Sequence, residues 1–274
     1  MSGSNHVKRV LTSALLLPIL VAAVLFGRGI PFNLLILACV LKGMAEFHTI
    51  TEKGGSPGFR KGGMVLGFLL TLAFMLRAPL FILLVLTGCV IALFFACLAS
   101  PRPFSESVPR ISGTLLGLVY VPLMMGFLIL IRGLEGGAYL VFLLLAIIWT
   151  GDTMAYYIGS LVGRHSMCPT ISPKKTVEGM VGGLAGSAIA ALILGRWWFP
   201  AAPLAFHPLM GLAVGCFGQL GDLSESILKR WAGVKESGNI LPGHGGLLDR
   251  IDGLIFSAPV FYCCIIFAPF ARGG

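Results

Sequence analysis

Acidic side chains are scarce in this sequence: eleven aspartates and glutamates stand among 274 residues, and all charged residues together make up 11%. A soluble domain carries about 25% charged residues, because its core must be covered by a water-compatible surface. The shortage excludes an ordinary soluble globular protein, as does the mean hydropathy of +0.93. Cysteine pairing signals are missing too. The seven cysteines include no C-x-x-C pair and lie mostly inside apolar stretches, so neither a disulfide framework nor a zinc site can be read from them. Nor is the net charge of +9 gathered into a basic tract, which removes the usual footprint of a nucleic-acid binder. A nucleophile elbow, a catalytic triad and a Walker loop are likewise missing from the sequence.

What the chain does have is apolar blocks of roughly 15–22 residues, the length needed to cross a hydrocarbon slab about 30 Å thick at 1.5 Å per residue. The pattern predicts an all-α polytopic integral membrane protein. Nine spans can be drawn, at 10–27, 31–50, 64–78, 79–99, 112–131, 138–160, 179–195, 208–229 and 252–271. Only Arg77-Ala78-Pro79 separates the third from the fourth, so eight is the alternative count. The first block follows Lys8-Arg9 but lacks a small-residue cleavage site, and reads as a retained anchor.

Basic residues mark the gaps between spans. With a cytoplasmic N-terminus, fourteen of the twenty fall in inside segments, five in outside segments, and Lys42 within a span. The positive-inside rule therefore predicts an N-in, C-out arrangement, which puts the polar loops 164–178 and 230–250 on the cytoplasmic side. The halves differ in character. Residues 1–135 hold about five plain lipid-compatible helices, whereas 136–274 hold about four helices plus both loops. Chemistry is expected in the second half.

The densest constellation runs from Gly221 to Arg230. On a helix Asp222, Glu225, Ser226, Lys229 and Arg230 share one face, opposite Leu223, Ile227 and Leu228. Ionisable groups at membrane depth cost about 2.5–3.5 kcal/mol each on insertion scales, so the stripe must face protein or water. A plainer reading is a snorkelling basic end with a Glu225–Lys229 pair. Next, Pro242, Gly243, His244, Gly245 and Gly246 form a turn whose backbone N–H groups can approach an anion closely, followed by Asp249, Arg250 and Asp252. Acids at a helix start are also ordinary dipole partners.

A third cluster, Ser172, Lys174, Lys175, Thr176 and Glu178, lies before a helix start and suits phosphate. Two lysines in a cytoplasmic loop are also what topology asks for. In the preceding span Asp152, Tyr156, Gly159 and Gly163 share a face, and Asp152 is an intramembrane acid in need of a partner. Lys42 and Glu46, i,i+4 within the second span, are read as a private ion pair in preference to part of a cavity. Carboxylates without a His–Cys cluster favour Mg²⁺ over zinc, while the cations and the glycine turn favour phosphate. Such a site suits transfer between a soluble nucleotide and a lipid phosphate, which is already an anion near pH 7 and needs no activated protein nucleophile.

These residues also resemble a known family. Ser226, Lys229, Arg230 and Lys235, followed by Leu241-Pro242-Gly243-His244-Gly245-Gly246 and Asp249-Arg250-Ile251-Asp252, are similar to the signature of the phosphatidate cytidylyltransferases, or CDP-diacylglycerol synthases. Gly151-Asp152, Ala155-Tyr156, Gly159 and Ser172-Pro173-Lys174-Lys175-Thr176 with Glu178-Gly179 extend the likeness over roughly 150–253. The resemblance implies condensation of CTP with phosphatidate to CDP-diacylglycerol and pyrophosphate in phospholipid biosynthesis, at the cytoplasmic face of an inner membrane. It implies Asp222 and Asp249 as Mg²⁺ ligands, with a monovalent cation such as K⁺ as a companion. Asp222, Asp249, Lys229 and Arg230 are then the catalytic group. Ser226, Ser172, Lys174, Lys175, Thr176, Arg250 and the turn from Gly243 through His244 and Gly245 to Gly246 hold phosphates. Asp152, Glu178, Glu225 and Asp252 are supporting acids. Partners are CTP, phosphatidate and membrane lipid, no nucleic acid is expected, and a homodimer is compatible with this reading. One departure is visible: Lys235-Glu236 stands where the family has Lys-Asp.

Two other classes compete. Intramembrane Asp152 and Asp222 would suit an ion-coupled secondary transporter, but the polar groups crowd to one side and no paired repeat appears. A CTP-dependent polyisoprenol kinase presents a nucleotide to a lipid in the same way and differs in releasing CDP. A CDP-alcohol phosphotransferase would need Asp-Gly-x-x-Ala-Arg, of which only Asp252-Gly253 is present.

Overall fold

The computed structural model describes residues 14, 16–99, 103–200, 202–239 and 245–268, and helices dominate them. In chain order they are α1 (Leu16–Leu25), α2 (Ile30–Lys53), α3 (Arg60–Met75), α4 (Pro79–Leu98), α5 (Phe104–Leu118), α6 (Met124–Gly133), α7 (Gly137–Val162), α8 (Val177–Trp198), α9 (Phe206–Trp231) and α10 (Leu248–Ile266). Where residues are described, the predicted spans overlap these helices. A π-helical turn at Val119–Leu123, which contains Pro122, joins α5 to α6. A proline inside a helix removes one backbone bond, and a wider turn accommodates that loss.

Five helical stretches among the described residues are long and apolar enough to cross a membrane: Gly27–Lys53, Pro79–Leu98, Ser105–Gly133, Gly137–Val162 and Val177–Trp198. The chain is a polytopic all-α membrane protein. Its other helices are shorter, as in α3 with 16 residues, or carry the charged groups already named. On α4, Leu80, Phe95 and Leu98 are 69%, 72% and 79% exposed. Such a surface is stable only against lipid, where the helix satisfies its own backbone.

The break at Arg77 is physical. Pro79 opens α4 and disfavours helix in the residue before it, while Arg77 adopts φ +53° between the two helices.

Two compact units make up the chain: Met1–Gly133 with Leu228–Ile251, and Leu134–Ile227 with Asp252–Gly274. The first is built on α2, α3, α5 and α6 around fully buried Phe32, Met44, Phe47, Leu70, Phe74 and Ile129. In the second, α7 lies along α8 through small residues. A Cβ on Gly183 would sit 2.9 Å from the Ala155 Cβ and 3.0 Å from the Gly151 carbonyl, so glycine is what lets these backbones approach. Between α7 and α8 an antiparallel hairpin pairs β1 (Ser166–Cys168) with β2 (Ser172–Thr176), Ser166 opposite Thr176 and Cys168 opposite Ser172. The polar loop 164–178 is thus partly folded. Its strands are too short and too polar to show period-two alternation.

Candidate active site

The second unit contains a cavity of about 490 Å³. Four elements converge on it, among them the start of α8 with Gly179 and Met180. Helix α7 contributes Asp152, Tyr156, Gly159 and Ser160; the hairpin contributes Met167, Lys174 and Lys175; α9 contributes Gln219 and Asp222. The helical spacing of Asp152, Tyr156 and Gly159 puts them on the wall, as expected from their shared face.

Lys175 Nζ approaches Asp222 Oδ2 at 2.5 Å, with the two side chains 27% and 40% exposed. That pair faces solvent in the cavity and is well placed to exchange partners with an entering charged ligand. Lys174 is exposed beside it. Two carboxylates, Asp152 and Asp222, and two ammonium groups therefore share one chamber. The carboxylate oxygens suit a hard cation such as Mg²⁺, and the lysines suit phosphate.

Other members of the 172–178 cluster also have partners within the fold, and Thr176 lines the cavity as well. Thr176 is the N-cap of α8: its Oγ1 accepts from the Gly179 N–H at 3.1 Å, satisfying one orphan donor of the helix start. Glu178 Oε2 accepts from the N–H groups of Arg164 and His165 at 3.1 and 3.3 Å, and Oε1 lies 2.5 Å from the His165 ring. The acid thereby ties the hairpin base to α8. Ser172 is paired in β2 opposite Cys168. Gln219, which the sequence reading missed, donates to the Met180 carbonyl at 3.1 Å. Its signal was available, since it precedes Asp222 by three residues on the same helix.

In the first unit a second polar cluster forms around Asp249. Lys229 Nζ meets Asp249 Oδ1 at 2.6 Å, with exposures of only 13% and 10%. Asp249 Oδ2 accepts from the Gly246 N–H at 2.8 Å, the Ser237 N–H at 3.0 Å and the Ser237 hydroxyl at 2.9 Å. Burial pushes the Asp249 carboxyl up, but the Lys229 ammonium and the Gly246 and Ser237 donors outweigh it and hold the group below its ordinary value. Three of these donors crowd Oδ2 and the Lys229 ammonium sits on Oδ1, so a cation ligated through Oδ1 would contest that oxygen with Lys229.

The remaining expected residues are placed as follows. Glu225 is fully buried on α9, Ser226 is half-buried and Arg230 exposed on the same helix. Arg250 is exposed, and the Asp252 Oδ1 accepts from the Gly253 N–H at 2.7 Å. Gly245 has φ +80°, a backbone that glycine adopts without strain. The Gly246 N–H is directed at Asp249 and does not point outward to a phosphate. Gly243 and His244 lie outside the described residues. Glu46 emerges as part of the Asp249 surroundings, since its Oε2 accepts from the Ser237 hydroxyl at 3.1 Å and the Leu248 N–H at 2.9 Å. It also keeps the expected pair with Lys42, at 3.3 Å.

Comparison with known proteins gives a consistent likeness. Residues 7–268 match the profile of the Cytidylyltransferase family. The chain is 48% identical over 136 residues to the uncharacterized protein YnbB of Escherichia coli (strain K12), covering 48% of this chain and 45% of that one. It is 42% identical over 148 residues to a phosphatidate cytidylyltransferase of Bacillus subtilis (strain 168), covering 54% and 55%. Over 286 aligned positions it is 31% identical to a phosphatidate cytidylyltransferase of Synechocystis sp., covering 90% of this chain and 95% of that protein. In the first two alignments the chain spans about half the length of the relative.

Proposed function

This chain belongs to the cytidylyltransferase family, and on that premise we propose that it condenses CTP with phosphatidate, giving CDP-diacylglycerol and pyrophosphate. The observation that carries the reading is the cavity in which Asp152 and Asp222 face Lys174 and Lys175, within a chain that spans a membrane. In the reaction a phosphatidate phosphate oxygen forms a bond to the α-phosphorus of CTP. The bond from that phosphorus to the β-phosphate oxygen breaks, and its electron pair leaves with pyrophosphate.

No protein base is required, because the attacking monoester is already ionised near pH 7. The task is to hold two anions together and to stabilise the leaving group. Lys175 gives up Asp222 and turns its ammonium to phosphate, with Lys174 beside it. Asp222 and Asp152 would seat Mg²⁺, which neutralises phosphate charge when bound. Asp249, within the first unit, is a further carboxylate for Mg²⁺ in this proposal, where the cation competes with Lys229 for Oδ1. With the N-terminus cytoplasmic, as the distribution of basic residues favours, the lysine hairpin meets nucleotide from the cytoplasm at the inner membrane.

The test is pyrophosphate release from purified protein supplied with CTP, Mg²⁺ and phosphatidate, each omitted in turn. Release should need all three. Release of CDP with a phosphorylated lipid would identify a kinase instead, and no lipid-dependent turnover would sink the enzyme reading.

A further inference from the structure

Glu46 lies on α2, far in sequence from every residue the family signature contains, yet its carboxylate is 3% exposed and sits against the Asp249 cluster. One oxygen, Oε2, receives the Ser237 hydroxyl at 3.1 Å and the Leu248 N–H at 2.9 Å. Those two donors stand eleven residues apart and bracket the glycine-rich segment. The same Ser237 hydroxyl oxygen lies 2.9 Å from Asp249 Oδ2. Ser237 therefore bridges two carboxylates, although a hydroxyl has a single proton to donate. Each end of the bridge has its own cation, with Lys42 3.3 Å from Glu46 Oε1 and Lys229 2.6 Å from Asp249 Oδ1.

The neighbouring glycines bear the mark of this contact. A Cβ on Gly246 would lie 2.7 Å from Glu46 Oε2, and one on Gly238 would lie 2.7 Å from Glu46 Oε1. Both distances are shorter than a carbon and an oxygen tolerate, so these positions accept no side chain while Glu46 occupies its place. At Gly246 the Ser237 hydroxyl and the Gly238 backbone crowd the same space even more closely than Glu46 does, so the contact specific to Glu46 is the one at Gly238, while the Gly246 N–H is turned toward Asp249. A private ion pair with Lys42 explains none of these contacts.

We propose that Glu46 is a positioning residue for the reaction: it clasps Ser237 and Leu248 and, through Ser237, fixes Asp249 and the Gly245–Gly246 turn. The role rests on the cytidylyltransferase reading for its catalytic consequence, while the clasp itself does not. Removing the carboxylate releases both ends of the segment at once. Asp249 Oδ2 then keeps the Gly246 and Ser237 N–H donors but on a backbone no longer anchored by Glu46, while Lys229 stays on Oδ1.

Two measurements on the full-length protein in detergent micelles test it. Hydrogen exchange of peptides covering 237–239 and 245–250 should rise about tenfold or more in Glu46→Ala and less in Glu46→Gln, which keeps one acceptor oxygen. Lys42→Ala should leave those peptides unchanged, because the Ser237 and Leu248 bonds remain. In pyrophosphate release, Glu46→Gln and Ser237→Ala should each lower kcat about tenfold with the KM for CTP within about twofold. The double variant should be no slower than the slower single, since both act on one path. Unchanged exchange in Glu46→Ala overturns the clasp. Independent, multiplying losses in the double variant, or a Lys42→Ala defect equal to that of Glu46→Gln, overturn the path through Ser237. If the wild type releases no pyrophosphate while exchange responds as expected, the clasp stands and the reaction assignment fails.

Discussion

Lys229→Met is the perturbation whose cost can be worked most directly from the structure. The Lys229–Asp249 pair is close at 2.6 Å and mostly buried, with 13% and 10% of the side chains exposed. Removing one partner of a buried pair costs about 3–5 kcal/mol when nothing else holds the abandoned charge. Here Oδ2 keeps the Gly246 and Ser237 donors, and hydrogen bonds to a charged group contribute about 1.5–3 kcal/mol each. The expected loss is therefore at the low end, about 2–3 kcal/mol. At about 2–4 °C per kcal/mol for a chain of this size, the melting temperature should fall by roughly 5–10 °C.

The Lys229–Asp249 pair also implies non-additivity. In Asp249→Asn one amide oxygen can still accept from Gly246 and Ser237, but its NH₂ group then confronts the Lys229 ammonium, donor against donor. Combining it with Lys229→Met removes that conflict, so the double variant should recover at least about 1 kcal/mol relative to the summed single losses. The pH dependence has a definite sign. The Asp249 carboxyl is held below its ordinary value, so its stabilisation is complete above an unfolded pKa of about 3.9 and is lost as pH falls through the folded value. Without the ammonium, burial is less opposed and the loss should begin at higher pH in Lys229→Met. Thermal melting of the detergent-solubilised protein between about pH 2 and pH 8 reads all three effects. Strict additivity, or a Lys229→Met protein melting within about 1 °C of wild type at pH 7, would refute the reasoning.

Other substitutions separate the chemistry from the scaffold. Asp222→Asn and Asp249→Ala should each reduce pyrophosphate release by about a hundredfold or more while the protein still inserts into membranes, and substantial residual activity in either would reject its metal role. Lys174→Ala should raise the KM for CTP several-fold, whereas Lys53→Ala at the end of α2 should be nearly silent; equal losses would mean that the phosphate grip reaches beyond the cavity. Gly183→Val should destabilise the α7–α8 packing by about 1–3 kcal/mol in melting experiments, because a Cβ there already meets Ala155 and the Gly151 carbonyl within about 3 Å; an unchanged melting temperature would show that the helices can part without cost.

Much of the fold was legible because it depends on local quantities. The length of an apolar run decides whether a segment can cross lipid, and Pro79 separates α3 from α4 through its own backbone restriction. The shared helix face of Asp152 and Tyr156 was likewise readable, and both line the cavity. Thr176 and Glu178 were legible as polar groups before a helix start, but the same chemistry serves a ligand or the helix itself. In the structure Thr176 caps α8 and also lines the cavity, while Glu178 holds the hairpin base.

By itself the sequence determined a helical, polytopic chain with seven of its eleven acids beyond residue 135, because hydropathy and the 3.6-residue period are written residue by residue. Only the tertiary structure decided which of those groups meet. Glu46 reaches Ser237 and Leu248 across 191 and 202 residues, the Gly246 N–H turns to Asp249, and Lys175 selects Asp222. A hydrogen bond between distant segments leaves no period and no spacing in the chain, since it arises from packing that brings the two segments to one place.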